Sequence, residues 1–532
     1  MKILTLGTCR VLQLFETNIN NTFLNSLHYT NYGNYGGSNV ISFSHDIYQS
    51  HFLLKLIKNN KIIKDPYYYS LFSRLSVFIQ DCGDYRSNLL SIIPDYDINN
   101  SIENIHNQLN EVEYIILEVC TLKRLIIDGV PMYLDINDQS HFSKITDQEF
   151  CEDFDNFVNL VKSINDNIKI IFVSHFISYN NEIIPERLHI LNLLKENVKK
   201  YNNCFCFCPT DYITDDDLED NRHYKPESKH KIVNALSDKI LEIESHTIVD
   251  KMNHTGIMQF NLSKYFNVPE KKAFDTLNLV LNNMTEEITQ ETYVKKWDEN
   301  DYMYTVNSHI NEPYNLNNPI FVDFFKIMTH DIITKIAKKY LESEVFINNA
   351  LMAVNYNCSD ERVQSQNWHR DPGGRKLIKF FVFFDDIGEL NGSLEYIPNS
   401  QYTSQSKITN IFDFNNNNSI YPISYSHMKN EYDIFSKVSD NKRLITEAKM
   451  GDCISVDTTG FHRAGFCSKN KYRKYLHVLY LTEINIINNT DPGDRYQLGF
   501  NHNSIYNVDK SLIDDLLKKS VSKYFYTPLN IS

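Results

Sequence analysis

Paired cysteines are missing from this sequence. Its ten cysteines are scattered along 532 residues, with none in CxxC spacing. That argues against a disulfide framework or a structural zinc site, and for reduced, cytoplasmic usage. Cys204, Cys206 and Cys208 alternate with Phe205 and Phe207 and read as one face of a buried strand rather than as metal ligands. Long apolar runs are also missing: the stretch from Ile378 to Phe384 is interrupted by charge and is far too short to span a bilayer. The chain opens directly on a strand-like run, Met1-Lys2-Ile3-Leu4-Thr5-Leu6-Gly7, so a signal peptide is not expected. A basic balance is absent too, and a net charge of −14 argues against a general nucleic-acid-binding surface. No internal repeat is evident. What is present is globular material, 42% hydrophobic and 23% charged, enough for large cores. The length favours about two to four domains.

From residue 1 to about 245, short apolar runs alternate with helical patterns. Lys2–Gly7, Val40–Phe43, Tyr114–Cys120, Lys169–Ser174 and Cys204–Cys208 have the length and continuity of strands buried on both faces. Between them lie Ile47–Lys58, Phe150–Ile164, Pro185–Tyr201 and Pro226–Ile243, the last opening with proline in its first turn. This alternation predicts a parallel sheet covered by helices, with ligands at the carboxyl ends of its strands. The second half differs. Helical stretches, including Lys271–Asn283 and Ile320–Tyr340, precede short strands at Ala350–Tyr356, Leu377–Phe384, Leu394–Ile397, Cys453–Asp457 and Tyr475–Thr482. Helices followed by many strands predict a jelly roll with a helical layer. Turns are expected at Asp371–Gly374 and Asn391–Ser393, an exposed loop at Asp413–Ser419, and the domain boundary near Glu242–Met252.

The richest segment is Asn367-Trp368-His369-Arg370-Asp371-Pro372-Gly373-Gly374. On an extended backbone, His369 and Asp371 point to the same side and can bind one metal in neighbouring positions. A third ligand is available far along the chain, in Gly451-Asp452-Cys453-Ile454-Ser455-Val456-Asp457-Thr458-Thr459-Gly460-Phe461-His462. Two histidines and one carboxylate leave other positions of the metal open for co-substrate and oxygen, the usual non-haem Fe(II) arrangement.

The stretch from Trp368 through Phe384 and Asp385-Asp386 to Asn391-Gly392-Ser393-Leu394-Glu395-Tyr396-Ile397-Pro398-Asn399-Ser400 resembles the phytanoyl-CoA dioxygenase family. The resemblance covers about residues 255–500 and is sharpest at 367–400 and 451–480. It implies a double-stranded β-helix, iron held by His369, Asp371 and His462, and 2-oxoglutarate as co-substrate. It also assigns the far carboxylate of 2-oxoglutarate to Arg473, eleven residues beyond the distal histidine, where a guanidinium offers a two-pronged grip that lysine cannot. This sequence departs from the family's pattern at Ala464, where a hydroxyl residue often stands, and Arg463 is a second candidate anchor. The resemblance implies hydroxylation of a C–H bond by molecular oxygen. Asp371 agrees, since halogenating relatives carry a small residue in its place.

A second motif pair lies in the first half. Gly7-Thr8-Cys9-Arg10 ends the first strand and leads into a helical pattern, Val11–Thr17, a setting that lowers a thiol's pKa. Far downstream, Asp220 stands three residues before His223 and can orient it as a general base. The order resembles the SGNH/GDSL hydrolase superfamily over about residues 1–245, with Cys9 where the usual serine stands. In place of that superfamily's Gly-x-Asn-Asp block stands Glu118-Val119-Cys120-Thr121, which identifies no oxyanion donor. A small buried residue at a turn and a surface histidine capping a helix would leave the same residues in the same places.

The sequence therefore reads as a multidomain α/β plus α+β protein. Residues 1–245 form an SGNH-like parallel-sheet α/β sandwich, and residues 246–532 an iron/2-oxoglutarate oxygenase-like double-stranded β-helix with flanking helices. The expected partners are molecular oxygen and a small-molecule or glycan-type substrate, with no nucleic acid and no membrane span. Two other readings use the same residues. One is a Cys-dependent esterase or acyltransferase whose jelly roll only binds substrate, and the other is a scaffold without catalysis.

Overall fold

Four apolar runs of the N-terminal half and one short polar strand line up as one parallel sheet. They are β1 (Lys2–Leu6), β2 (Asn25–Ser26), β3 (Tyr114–Val119), β4 (Lys169–Ser174) and β5 (Cys204–Phe207), in the order β5-β4-β3-β1-β2. The structure is a computed structural model, and it describes residues 1–7, 11, 14, 23–26, 46–60, 103, 105–124, 126–127, 130–131, 143–221, 223–289, 303–305, 318–343, 345–357, 362, 366, 368–369, 371, 376–401 and 443–481. The Thr8-Cys9-Arg10 turn, the expected strand Val40–Phe43 and the Asp413–Ser419 loop lie outside the described residues. The chain divides into two compact units, Met1–Lys239 and Ile240–Ser532.

In the first unit every residue of β3 is buried, as expected for a central strand covered on both faces. α1 (Ile47–Lys58) starts where the Asp46 carboxylate accepts the Gln49 N–H at 2.8 Å. α2 (Asp147–Lys162) opens with a reciprocal cap: Thr146 Oγ1 accepts from Glu149 N, and the Glu149 carboxylate accepts from Thr146 N. Its inner stripe includes Phe150, Phe154 and Phe157. Phe154 stacks on Phe172 of β4 with centroids 4.4 Å apart, each such fully buried ring contributing roughly 2–3 kcal/mol. α3 (Pro185–Val198) packs on β4 and β5. Strand order 2-1-3-4-5 places the switch point between β1 and β3, where doubly wound sheets take their ligands. Gly7 ends β1 there at φ +153°, and a Cβ would lie 2.7 Å from that of the buried Glu118.

Pro226–Ser228 form a single 3₁₀ turn, and α4 (Lys229–Thr255) follows. The stretch Glu242–Met252, expected to hold the domain boundary, is thus the interior of a continuous helix.

The described residues of the second unit form two antiparallel sheets. β6 (Ile257–Asn261), β7 (Met303–Thr305), β8 (Phe346–Asn355), β9 (Ile378–Phe383), β12 (Asp452–Val456) and β14 (Arg473–Leu481) form the larger, in the order β6-β12-β9-β14-β8-β7. β10 (Leu394–Tyr396), β11 (Leu444–Ile445) and β13 (His462–Ala464) form the smaller, with β10 central. Phe381, Phe383, Ile454, Val456 and Tyr475 of the large sheet share one buried cluster with Leu394 and Tyr396 of the small one, so the core lies between the sheets. Helices cover the other side of the large sheet. α5 (Val268–Thr289) packs on β8, α6 (Pro319–Met328) on α5 and β14, and α7 (Asp331–Leu341) on β9. The single helix expected over Ile320–Tyr340 is in fact α6 and α7. It breaks at Thr329-His330, where the His330 ring accepts the Ile332 N–H and caps a new start. Among the described residues no helix is long and apolar enough to cross a membrane.

Candidate metal centre

Between the sheets, His369 and His462 pair as an isolated antiparallel bridge, each N–H donating to the other's carbonyl at 3.0 Å. Two residues on, the Asp371 N–H donates to Thr458 O at 2.8 Å, which holds the extended backbone that puts His369 and Asp371 on one side. The Nε2 atoms of His369 and His462 each lie 3.8 Å from Asp371 Oδ1. Both histidines are buried, and the three ligand atoms all fall within 4.8 Å of one another. Among the described residues this is the one His/Cys/Asp/Glu cluster that meets such a test. Cys204, Cys206 and Cys208 form none.

The electrostatics suit a cation. Burial above all, together with His369, pushes the His462 pKa down to about 3, so the ring is a neutral donor. Its Nδ1 sits 3.0 Å from Gly460 O, and a proton donated there leaves Nε2 with its lone pair toward the cluster. Burial opposes ionisation of Asp371, but Lys379, His462 and His369 outweigh it and hold the carboxyl well below the usual range. Two imidazoles and one carboxylate converging in the interior of the second unit fit a ferrous ion by donor chemistry.

The loop that delivers His462 is clamped by Asp457, which accepts from Tyr340 Oη at 2.7 Å, Thr459 Oγ1 at 2.7 Å and Thr459 N at 3.0 Å. Burial raises the Asp457 pKa against these bonds. Sequence reasoning missed this support. The Asp-Thr-Thr-Gly run was its one available signal.

Arg473 is buried at the start of β14, on the core-facing side with Tyr475, and its Nη1 donates to Gly392 O. Gly392 itself adopts φ +80°, and a Cβ there would lie 2.7 Å from Cys467 Sγ, so no larger residue could present that carbonyl. Directly across the ladder on β8 is Asn355, fully buried. Arg473 Nε and both polar side-chain atoms of Asn355 have no hydrogen-bond partner among the described residues. Orphaned buried donors beside a guanidinium suit an anionic group such as a carboxylate. Arg463 is placed otherwise. One residue out of phase with His462, it turns away from the cluster, donates through Nε to Glu395 at 2.9 Å and stacks over Trp368. Arg362 and Arg443 also reach Glu395.

Two further core-facing residues escaped the sequence reading. Lys379 Nζ lies 2.8 Å from Asp371 Oδ2. His477 is partly buried, and burial first, then Lys379 and Arg473, lowers its pKa well below the ordinary value. A charged or polar residue in phase with Phe381 or Tyr475 was the signal for both.

In the first unit Asp220 and His223 do meet: Oδ2 lies 2.9 Å from Nδ1, and the same carboxylate accepts the His223 N–H at 2.8 Å. Both side chains are exposed by more than a third. Cys9 lies outside the described residues, so the structure leaves the third member of that expected triad unplaced.

No curated protein matches the chain. Solved structures similar to it include the non-heme alpha ketoglutarate dependent epimerase SnoN from nogalamycin biosynthesis, at 12% identity over 45% of this chain and 83% of that one, TM-score 0.30. AviO1 from Streptomyces viridochromogenes Tue57 is similar at 13% identity, over 45% of this chain and 95% of its own, TM-score 0.30. EctD from S. alaskensis, with 2-oxoglutarate and 5-hydroxyectoine, is similar at 12% identity, over 44% and 76%, TM-score 0.30. Residues 280–474, which contain His369, Asp371, His462 and Arg473, match the phytanoyl-CoA dioxygenase family, whose enzymes use Fe(II) and 2-oxoglutarate; the match supports a dioxygenase-type function.

Proposed function

We propose that the C-terminal unit is an Fe(II)/2-oxoglutarate-dependent dioxygenase that hydroxylates a C–H bond of a small-molecule or glycan-type substrate. His369, Asp371 and His462 would hold the iron. The observation that carries this reading is the convergence of His369 Nε2, His462 Nε2 and Asp371 Oδ1, with both histidines buried. Iron and 2-oxoglutarate supply the oxidising chemistry. The chain's own residues bind and orient. Arg473 anchors the far carboxylate of 2-oxoglutarate, helped by the orphaned amide of Asn355. Phe381, Phe383 and Tyr475 line the same face of the large sheet and exclude water from the pocket. Gly460 O keeps His462 in the tautomer that ligates.

The test needs no knowledge of the substrate. Purified protein titrated with Fe(II) without oxygen should bind one ion per chain, and on admission of oxygen it should convert 2-oxoglutarate to succinate slowly. Absence of both metal binding and succinate would end this reading.

The Asp220–His223 contact favours a second activity in the N-terminal unit, a Cys9-dependent esterase or acyltransferase on an SGNH-like sheet. There Asp220 would orient His223, and His223 would take the Cys9 proton.

A further inference from the structure

The alternation of β9 turns Lys379 toward the core with Phe381 and Phe383, opposite Val456 on β12 and Leu479 on β14. Its side chain is only 15% exposed. A largely covered lysine on a core-facing strand position calls for a counter-charge. It meets Asp371: Nζ is 2.8 Å from Oδ2, and Oδ1 is the atom 3.8 Å from both histidine Nε2 atoms. The carboxylate is thus divided, with one oxygen facing the ligand cluster and the other held by an ammonium.

We propose that Lys379 is a positioning residue that confines Asp371 to single-oxygen ligation and so keeps open the coordination position a chelating 2-oxo acid requires. The inference rests on the iron reading above. On an octahedral ion three protein donors leave three positions, two for the chelating acid and one for oxygen. A carboxylate can also bind a cation through both oxygens, and Asp371 doing so would take one of the three. Lys379 opposes this by holding Oδ2 in an ion pair with its ammonium at 2.8 Å. The ion pair also holds Oδ1 toward the histidines before any metal arrives.

The experiment uses the full chain loaded with Fe(II) without oxygen, as wild type, Lys379→Met, Lys379→Gln and Lys379→Arg. Three quantities are read: bound iron, thermal unfolding, and the visible charge-transfer absorption that a 2-oxo acid gives on ferrous iron. The probes are 2-oxoglutarate and pyruvate, which shares the chelating end but lacks the far carboxylate. The expected result is that Lys379→Met keeps its iron, binds both acids roughly 10- to 100-fold more weakly, and is largely rescued by Lys379→Arg. Unchanged binding of both acids would overturn the inference. Weakening for 2-oxoglutarate alone would overturn it too, since Lys379 would then be touching the far carboxylate. Loss of iron and of cooperative unfolding in both Lys379→Met and Lys379→Gln would reduce Lys379 to a structural residue. A wild type that binds no iron would instead remove the reading on which the inference stands.

Discussion

His369 and His462 exchange both backbone hydrogen bonds, N to O at 3.0 Å in each direction, although they lie far apart in sequence. The placement of the two imidazoles therefore rests on main-chain pairing, and truncating one ring should leave the bridge in place. His369→Ala and His462→Ala are each expected to lose tight Fe(II) binding, because one of three donors is gone, while unfolding stays cooperative. Metal analysis after anaerobic loading and desalting checks this. Iron retained near one per chain in both variants would exclude the assigned ligands.

A sharper division is expected between the two arginines near the site. Arg473 faces the core beside the orphaned Asn355, whereas Arg463 is committed to Glu395 and Trp368 on the other side of β13. Arg473→Lys should weaken 2-oxoglutarate binding by roughly tenfold, about 1.4 kcal/mol, and spare Fe(II), since a point charge replaces a planar fork. Arg463→Lys should leave 2-oxoglutarate binding unchanged. Equilibrium titration of both variants decides it, and the opposite pattern would move the anchor to Arg463.

Part of this site is legible in the sequence for a simple reason. Period-two geometry makes His369 and Asp371 neighbours in space wherever the backbone is extended, so the pair is readable without knowing the fold. The same rule, applied to Arg463, says that a residue adjacent to a ligand on a strand points away from it, which the structure bears out through Glu395. Lys379 and Asn355 are harder to see. Their inward direction depends on which face of β9 and β8 meets the small sheet, a tertiary fact that local sequence does not carry. The helix break at Thr329-His330 was hidden similarly. Phe321, Phe324, Phe325 and Met328 run on into Ile332, Ile333 and Ile336 with helical spacing, and only the His330 side chain, by capping, separates them. In the first unit the buried runs of β3 and β4 were readable as strands because a strand covered on both faces is continuously apolar. The two-residue β2 carries no such signal.

Stability of the N-terminal unit should depend on pH through Asp46. Its carboxyl is fully buried at the cap of α1, and burial, opposed by Arg124 at 3.6 Å, raises its pKa from 3.8 to about 6. A folded-state pKa above the unfolded one means the folded state binds more protons between those values. The stabilisation is therefore complete below 3.8 and is lost as pH rises through about 6. Asp46→Asn keeps an acceptor for the Gln49 N–H and removes the titration. The unfolding free energy of the variant relative to wild type should thus increase from acid to neutral pH by roughly 1–3 kcal/mol. A difference that stays flat across this range would show that Asp46 titrates normally.

Cys9 should be the thiol that distinguishes an active N-terminal site from a retained fold. Burial pushes the thiols of Cys204 and Cys206 up to about 12, so at neutral pH they are almost wholly protonated and slow to alkylate. A nucleophile after β1, served by an imidazole that Asp220 already orients at 2.9 Å, should behave in the opposite way. With iodoacetamide at neutral pH, Cys9 is expected to label at least about tenfold faster than Cys204 or Cys206, as read by peptide mass mapping. His223→Ala should remove most of that advantage, and Asp220→Asn should remove part of it by releasing the ring. Both substitutions act at partly exposed side chains, so the fold should survive them. If Cys9 labels as slowly as the buried thiols, and equally in wild type and His223→Ala, the Asp220–His223 pair has no nucleophile to serve, and catalysis is confined to the C-terminal unit.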